Sequence, residues 1–213
     1  MTAGRRSVFS VRDLAYRERE SFARFLRELP AGDWRRPSLC AGWTVHDVVA
    51  HVLSFEELTT PAVLRRFGRH RFRLSDVNDA GVAEYRDWEP DRLIARMESH
   101  LDPRGLTTGF GCRVALLDAM IHQQDIRRAL SRPREIPADR LIPALGFARF
   151  APPIGAHRRV LGLSFRATDV AWSAGFGPEV RGPGEAIVMA VAGRTTALDE
   201  LTGAGLDRLR RRC

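Results

Sequence analysis

The chain has 213 residues, 44% of them hydrophobic and 28% charged, which excludes a disordered or fibrous chain and leaves room for a sizeable core. No apolar run approaches membrane-spanning length, and the N-terminal stretch MTAGRRSVFSVRDLAYRERE turns charged too early for a signal peptide, so a cytoplasmic protein is expected. The formal charge is +8, but basic residues alternate with acids, as in RDLAYRERESFARFLREL; only the tail DRLRRR clusters, and nucleic-acid binding is not expected.

All 34 basic side chains are arginine. With abundant Ala, Gly and Pro, this points to a GC-rich coding genome such as those of actinobacteria.

Taken in chain order, Ser10 followed by Asp13 predicts a capped helix running to about Leu29, with Val11, Leu14, Ala15, Phe22, Phe25, Leu26 and Leu29 on one side. Pro30, Gly32 and Pro37 end it. Thr44 with Asp47 three residues on predicts a second cap, opening a helix through VHDVVAHVLSFEEL. A third segment starts at Thr60–Pro61 and ends near Gly68. Residues 76–100 are helical in pattern with a break before Pro90. Thr107 or Thr108 is expected to open a long helix carrying ALLDAMIHQQDIRRAL, which stops before Pro133. A further amphipathic helix is expected over 138–150.

The pattern changes near residue 151. LGLSFRATDVAW alternates like a strand and AGFGPEVRGPG is rich in turn residues, predicting a short hairpin or meander. EAIVMAVAG predicts a short apolar helix closed by Gly193, and ALDELTGAGLDRLRRR completes a small unit. The expected architecture is mainly α, a helical bundle over residues 1–150 followed by a small α+β domain over 151–213.

On the long helix, at 100° per residue, Val114, Ala115, Asp118, Ile121, His122, Asp125, Ile126 and Ala129 share one face. Asp118 and His122 are four residues apart and converge, with Asp125 on the same stripe. Ionisable groups on an apolar face need compensation: an arginine from another helix, mutual hydrogen bonds, or a divalent metal. His51, among Val48, Val49, Val52 and Leu53, borders the core face of the second helix. Two histidines and a carboxylate on facing helices suit a metal with a fourth position open, the pattern of catalytic rather than structural zinc. His46, His70, His100 and His157 are read as surface residues. Cys40, Cys112 and Cys213 are far apart and odd in number; they suggest neither a disulfide framework nor a thiolate metal pair, and are read as small semi-buried residues.

The stretch PSLCAGWTVHDVVAHVLSFEE resembles the N-terminal signature of the mycothiol-dependent maleylpyruvate isomerase family, within the DinB/YfiT-like metal-binding bundles. DVAWSAGFGPEV and AVAGRTTALDELTGAG resemble the family's small C-terminal domain. The resemblance implies a DinB-like four-helix bundle with an appended α/β module. It also implies Zn2+ or another divalent metal on His51, Asp118 and His122, with Asp118 standing where the isomerase has glutamate. Asp125 would orient His122 from behind, and Arg194 would serve the active site. Mycothiol would be the thiol cofactor, used in isomerase or transferase chemistry on a small electrophilic substrate. The alternative is a non-catalytic bundle of the same fold that acts as a binding or regulatory module. Neither the substrate nor the oligomeric state follows from these residues.

Overall fold

The computed structural model describes residues 9–56, 60–69, 71 and 73–213. His70 and the last residues of the helix expected over 45–58 lie outside the described residues. Two compact units emerge, Met1–Arg134 and Glu135–Cys213.

The first unit is helical. Its elements are α1 (Val11–Arg27), α2 (Val45–Ser54), α3 (Thr60–Arg69), α4 (Leu74–Ala83), α5 (Pro90–Ser99) and α6 (Gly109–Ala129). Both expected capping boxes are present. The Ser10 hydroxyl accepts from the Asp13 amide while the Asp13 carboxylate accepts from the Ser10 amide, and Thr44 and Asp47 do the same for α2. Pro30 ends the first helical stretch, so α1 stops at Arg27, and α2 stops at Ser54.

Helices α1, α2, α5 and α6 form the bundle: α1 packs on α5 and α6, and α2 on α5 and α6. Their apolar faces meet in a core that includes Phe22, Leu26, Val48, Val49, Val52, Leu93, Met97 and Ile126. Helix α4 crosses α2 closely at Gly81, where a Cβ would lie 2.5 Å from Ser54 Oγ.

Among the described residues, buried ion pairs add to this apolar packing. Arg19 and Glu56 are 1% and 5% exposed and form a bidentate pair, with Arg19 also donating to the His100 carbonyl at 2.9 Å and to Thr107 Oγ1 at 3.3 Å. Glu18, also buried, pairs with Arg134, whose Nε donates to Gln124 Oε1 at 2.9 Å. His100, expected at the surface, is buried because its imidazole turns back onto the Arg96 carbonyl, 2.9 Å from Nδ1.

The long helix α6 starts at Gly109, after a 3-10 turn over Gly105–Thr108. Phe110, Gly111 and Cys112 are left-handed (φ 53°, 65° and 65°), so the regular right-handed helix runs from Arg113. From Ala115 to Ile126 every residue except Asp118 is buried.

The second unit contains α7 (Ala138–Ala148), α8 (Ala156–Val160), β1 (Ser164–Ala167), β2 (Ser173–Gly175), β3 (Glu179–Gly182), α9 (Gly184–Val191) and α10 (Leu206–Arg210). Helix α7 groups with this unit because it packs on α9; a Cβ on Gly184 would lie 3.0 Å from Leu141 and 3.1 Å from Leu145. The break in compactness therefore precedes the change of composition near 151.

β1 and β2 form the expected antiparallel hairpin. β3 crosses to the other edge and pairs parallel with β1, giving the order β2-β1-β3. Phe165 and Val180 face the interior side by side, while Arg166 and Arg181 alternate outward.

Helix α9 closes in a Schellman motif. The Gly193 amide donates to the Ala190 carbonyl and the Arg194 amide to the Met189 carbonyl, both at 2.9 Å, with Gly193 at φ 91°. Among the described residues no helix is long and apolar enough to cross a membrane.

Candidate metal centre

The segment before α2 is a small scaffold. Pro37 bridges Thr44, and the Trp43 amide donates to the Cys40 carbonyl at 3.0 Å, closing a tight turn with Gly42 at φ 80° in its third position. That conformation is the one a type II turn reserves for glycine. The Leu39 amide donates to the Asp125 carbonyl at 3.1 Å and pins this turn to α6.

Helix α2 then carries His51 inward. Its ring lies 4.8 Å from the Trp43 ring, 5.3 Å from Phe55 and 4.8 Å from His122, centroid to centroid. The Trp43 indole donates to Asp79 Oδ1 at 3.3 Å, so α4 holds the ring that flanks His51.

From α6, Asp118 and His122 converge one turn apart, with Oδ1 and Nε2 3.5 Å apart. His51 and His122 are each 8% exposed, whereas the Asp118 side chain keeps 29% of its surface. One donor atom from each of His51, Asp118 and His122 falls within 4.8 Å of the others. The far side of His122 faces Asp125, whose Oδ2 is 3.1 Å from Nδ1 and whose side chain is completely buried. The structure thus brings His51, Asp118, His122 and Asp125 into one cluster.

The electrostatics follow from this crowding. Burial disfavours an imidazolium at His122, but Asp118 and Asp125 on either side outweigh it and hold the pKa well above the ordinary 6.5. Burial likewise opposes the Asp118 carboxylate, and facing His122 outweighs it, leaving Asp118 below its ordinary value. The two carboxylates thus favour the protonated form of His122. A divalent cation on the N,N,O set would supply the same positive charge, so the donors present fit such an ion.

Cys40, expected as a small semi-buried residue, is half-buried beside the cluster. Its Sγ donates to Asp125 Oδ2 at 3.1 Å and lies 4.0 Å from His122 Nδ1. Its place in PSLCAGWT, directly before a helix with an inward histidine, was the one available signal. Arg194, in the second unit, follows the α9 cap and donates from Nη1 to the Ala192 carbonyl at 2.9 Å.

The order of elements, a helical bundle and then a small α+β unit, is that of a DinB-like fold. Residues 15–104 match the family model of the mycothiol maleylpyruvate isomerase N-terminal domain. The matched span contains His51 and ends before Asp118 and His122.

Among solved structures, the chain is similar to the mycothiol-dependent maleylpyruvate isomerase (17% identity, TM-score 0.53) and to a histidine-to-alanine mutant described under the same name (15% identity, TM-score 0.53), with 91% of each chain covered in both comparisons. At this identity the likeness is one of fold. No protein of curated function matches the sequence.

Proposed function

We propose that the protein is a divalent-metal-dependent isomerase or S-transferase that uses mycothiol on a small electrophilic substrate. The convergence of His51, Asp118 and His122 from two packed helices carries this reading. The names of the matched domain and of the fold relatives support the thiol and the reaction class.

His51, Asp118 and His122 would hold zinc or a similar cation, which supplies the Lewis acidity that makes a coordinated thiol a thiolate at neutral pH. Asp125 Oδ2, 3.1 Å from His122 Nδ1, would accept the Nδ1 proton and so leave Nε2 for the cation. Trp43 and Phe55 flank His51 as an apolar wall that limits water around the thiol. We assign to Arg194 the task of steadying an anionic group of the substrate or of the thiol. The thiolate would add to one carbon of an activated double bond, its π pair moving to the neighbouring carbon; rotation about the new single bond and expulsion of the same thiolate would complete an isomerisation, whereas protonation of that carbon would leave a thioether.

Purified protein reconstituted with zinc is expected to hold one ion per chain. A protein that takes up no divalent ion after reconstitution overturns the reading. Mycothiol, and not cysteine, is then expected to raise the melting temperature of the loaded protein, by about 2.7 kcal/mol of stability at a hundred times Kd. A loaded protein indifferent to mycothiol would point instead to a non-catalytic bundle.

A further inference from the structure

We propose that Cys40, His122 and Asp125 form a second metal site, for a thiophilic divalent cation, on the opposite side of the His122 ring from Asp118. This inference does not depend on the use of mycothiol or on an ion at His51.

The three donor atoms already stand at ligand spacing. Cys40 Sγ and His122 Nδ1 are each 3.1 Å from Asp125 Oδ2, and 4.0 Å from one another. A tetrahedral ion with bonds of ~2.3 Å to sulfur and ~2.0–2.1 Å to nitrogen and oxygen sets its ligands about 3.3–3.6 Å apart. Each edge of the triangle is within about half an ångström of that spacing.

The arrangement is built from several directions. The Leu39–Asp125 backbone bond ties the turn to α6, the Cys40 amide donates to Ser38 Oγ at 3.1 Å, and Asp125 has no exposed surface. A thiol is a weak donor to set against a fully buried carboxylate, and a serine hydroxyl would serve that role better in less space. What cysteine adds is a soft ligand.

The two sites exclude one another through a single ring. Neutral imidazole offers one lone pair. The set of His51, Asp118 and His122, here the outer set, takes Nε2 and leaves the Nδ1 proton with Asp125. The set of Cys40, His122 and Asp125, the inner set, takes Nδ1 and leaves the Nε2 proton facing Asp118 Oδ1 at 3.5 Å. The tautomer of His122 therefore decides which set is armed. Ligand softness sorts the ions, with sulfur drawing cadmium-like cations inward. Occupation of the site at Cys40 withdraws His122 from the set that it forms with His51 and Asp118.

Cobalt(II) titration in a phosphine reductant, free of thiols, tests this. His51→Ala protein is expected to develop a sulfur-to-cobalt charge-transfer band at one ion per chain, and His51→Ala/Cys40→Ser to lack it. Asp118→Asn replaces His51→Ala as the background if circular dichroism shows the latter unfolded. No such band in the folded variant, or a band that survives Cys40→Ser, overturns the proposal. Failure of the outer set is read separately, as the absence of visible ligand-field bands in the single Cys40→Ser variant.

Discussion

His122→Ala is expected to abolish stoichiometric metal binding and, with it, thiol-dependent turnover. His122 is the member of the cluster that touches every other part: Nε2 faces Asp118 at 3.5 Å, Nδ1 faces Asp125 at 3.1 Å, and its ring meets His51. Loss of a group that only orients a ligand costs roughly 10–100-fold in metal affinity; loss of His122 should exceed that, because both a ligand and the link to Asp125 disappear. Metal analysis after dialysis, beside isothermal titration of the wild type, measures it. Retention of one ion per chain at wild-type affinity would rule His122 out as a ligand.

The same variant has a pH signature in the metal-free protein. The pKa of His122 is raised on folding, so its contribution to stability is fully present below the unfolded value of about 6.5 and fades as pH rises through the higher folded value. The deficit of His122→Ala relative to wild type should therefore be largest in mild acid and shrink in alkaline solution. Asp118 has the opposite sense: its pKa is lowered, so its contribution holds above the unfolded value and is lost as pH falls through the folded one. Metal must displace the His122 proton, so affinity is expected to climb with pH and binding to release protons.

Glu56→Ala is expected to be the most destabilising single change in the helical unit. It strands the buried Arg19 guanidinium, which Glu56 meets in a bidentate pair. Breaking such a pair from one side costs about 3–5 kcal/mol. For a chain of this size that corresponds to a fall in melting temperature of roughly 6–20 °C. The pair also joins α1 and the end of α2 to the stretch before α6, through the Arg104 amide and Thr107. Replacing both partners by methionine should cost much less, since no charge is left unpaired. A double variant as damaged as Glu56→Ala would show that the lost volume matters and the stranded charge does not.

Local signals carried much of this structure. The capping boxes at Ser10 and Thr44 and the glycine closing α9 are short-range motifs, and each appears where the sequence places it. Helical phase alone aligned Asp118, His122 and Asp125, and it set His51 on the core side of α2. What stayed hidden depends on partners far away in the chain. Cys40 meets Asp125 across 85 residues through a turn held by a backbone bond. Arg19 meets Glu56 across 37 residues, so an apparently solvated charge is buried. The parallel pairing of β3 with β1 is equally non-local, since nothing in AGFGPEVRGPG tells which edge it will join. The left-handed turn at Phe110–Cys112 runs against residue preference at two of its three positions.

Helix α6 is enclosed along almost its whole length between Ala115 and Ile126. In a molecule that opens piecewise, such a segment belongs to the last part to exchange its amide protons, and it opens only with the whole unit. The donor atoms on α6 therefore rest on an element expected to be among the last of the helical unit to open. Unlike a zinc finger, whose fold is made by its ion, this bundle is expected to keep its shape with or without a cation at the cluster.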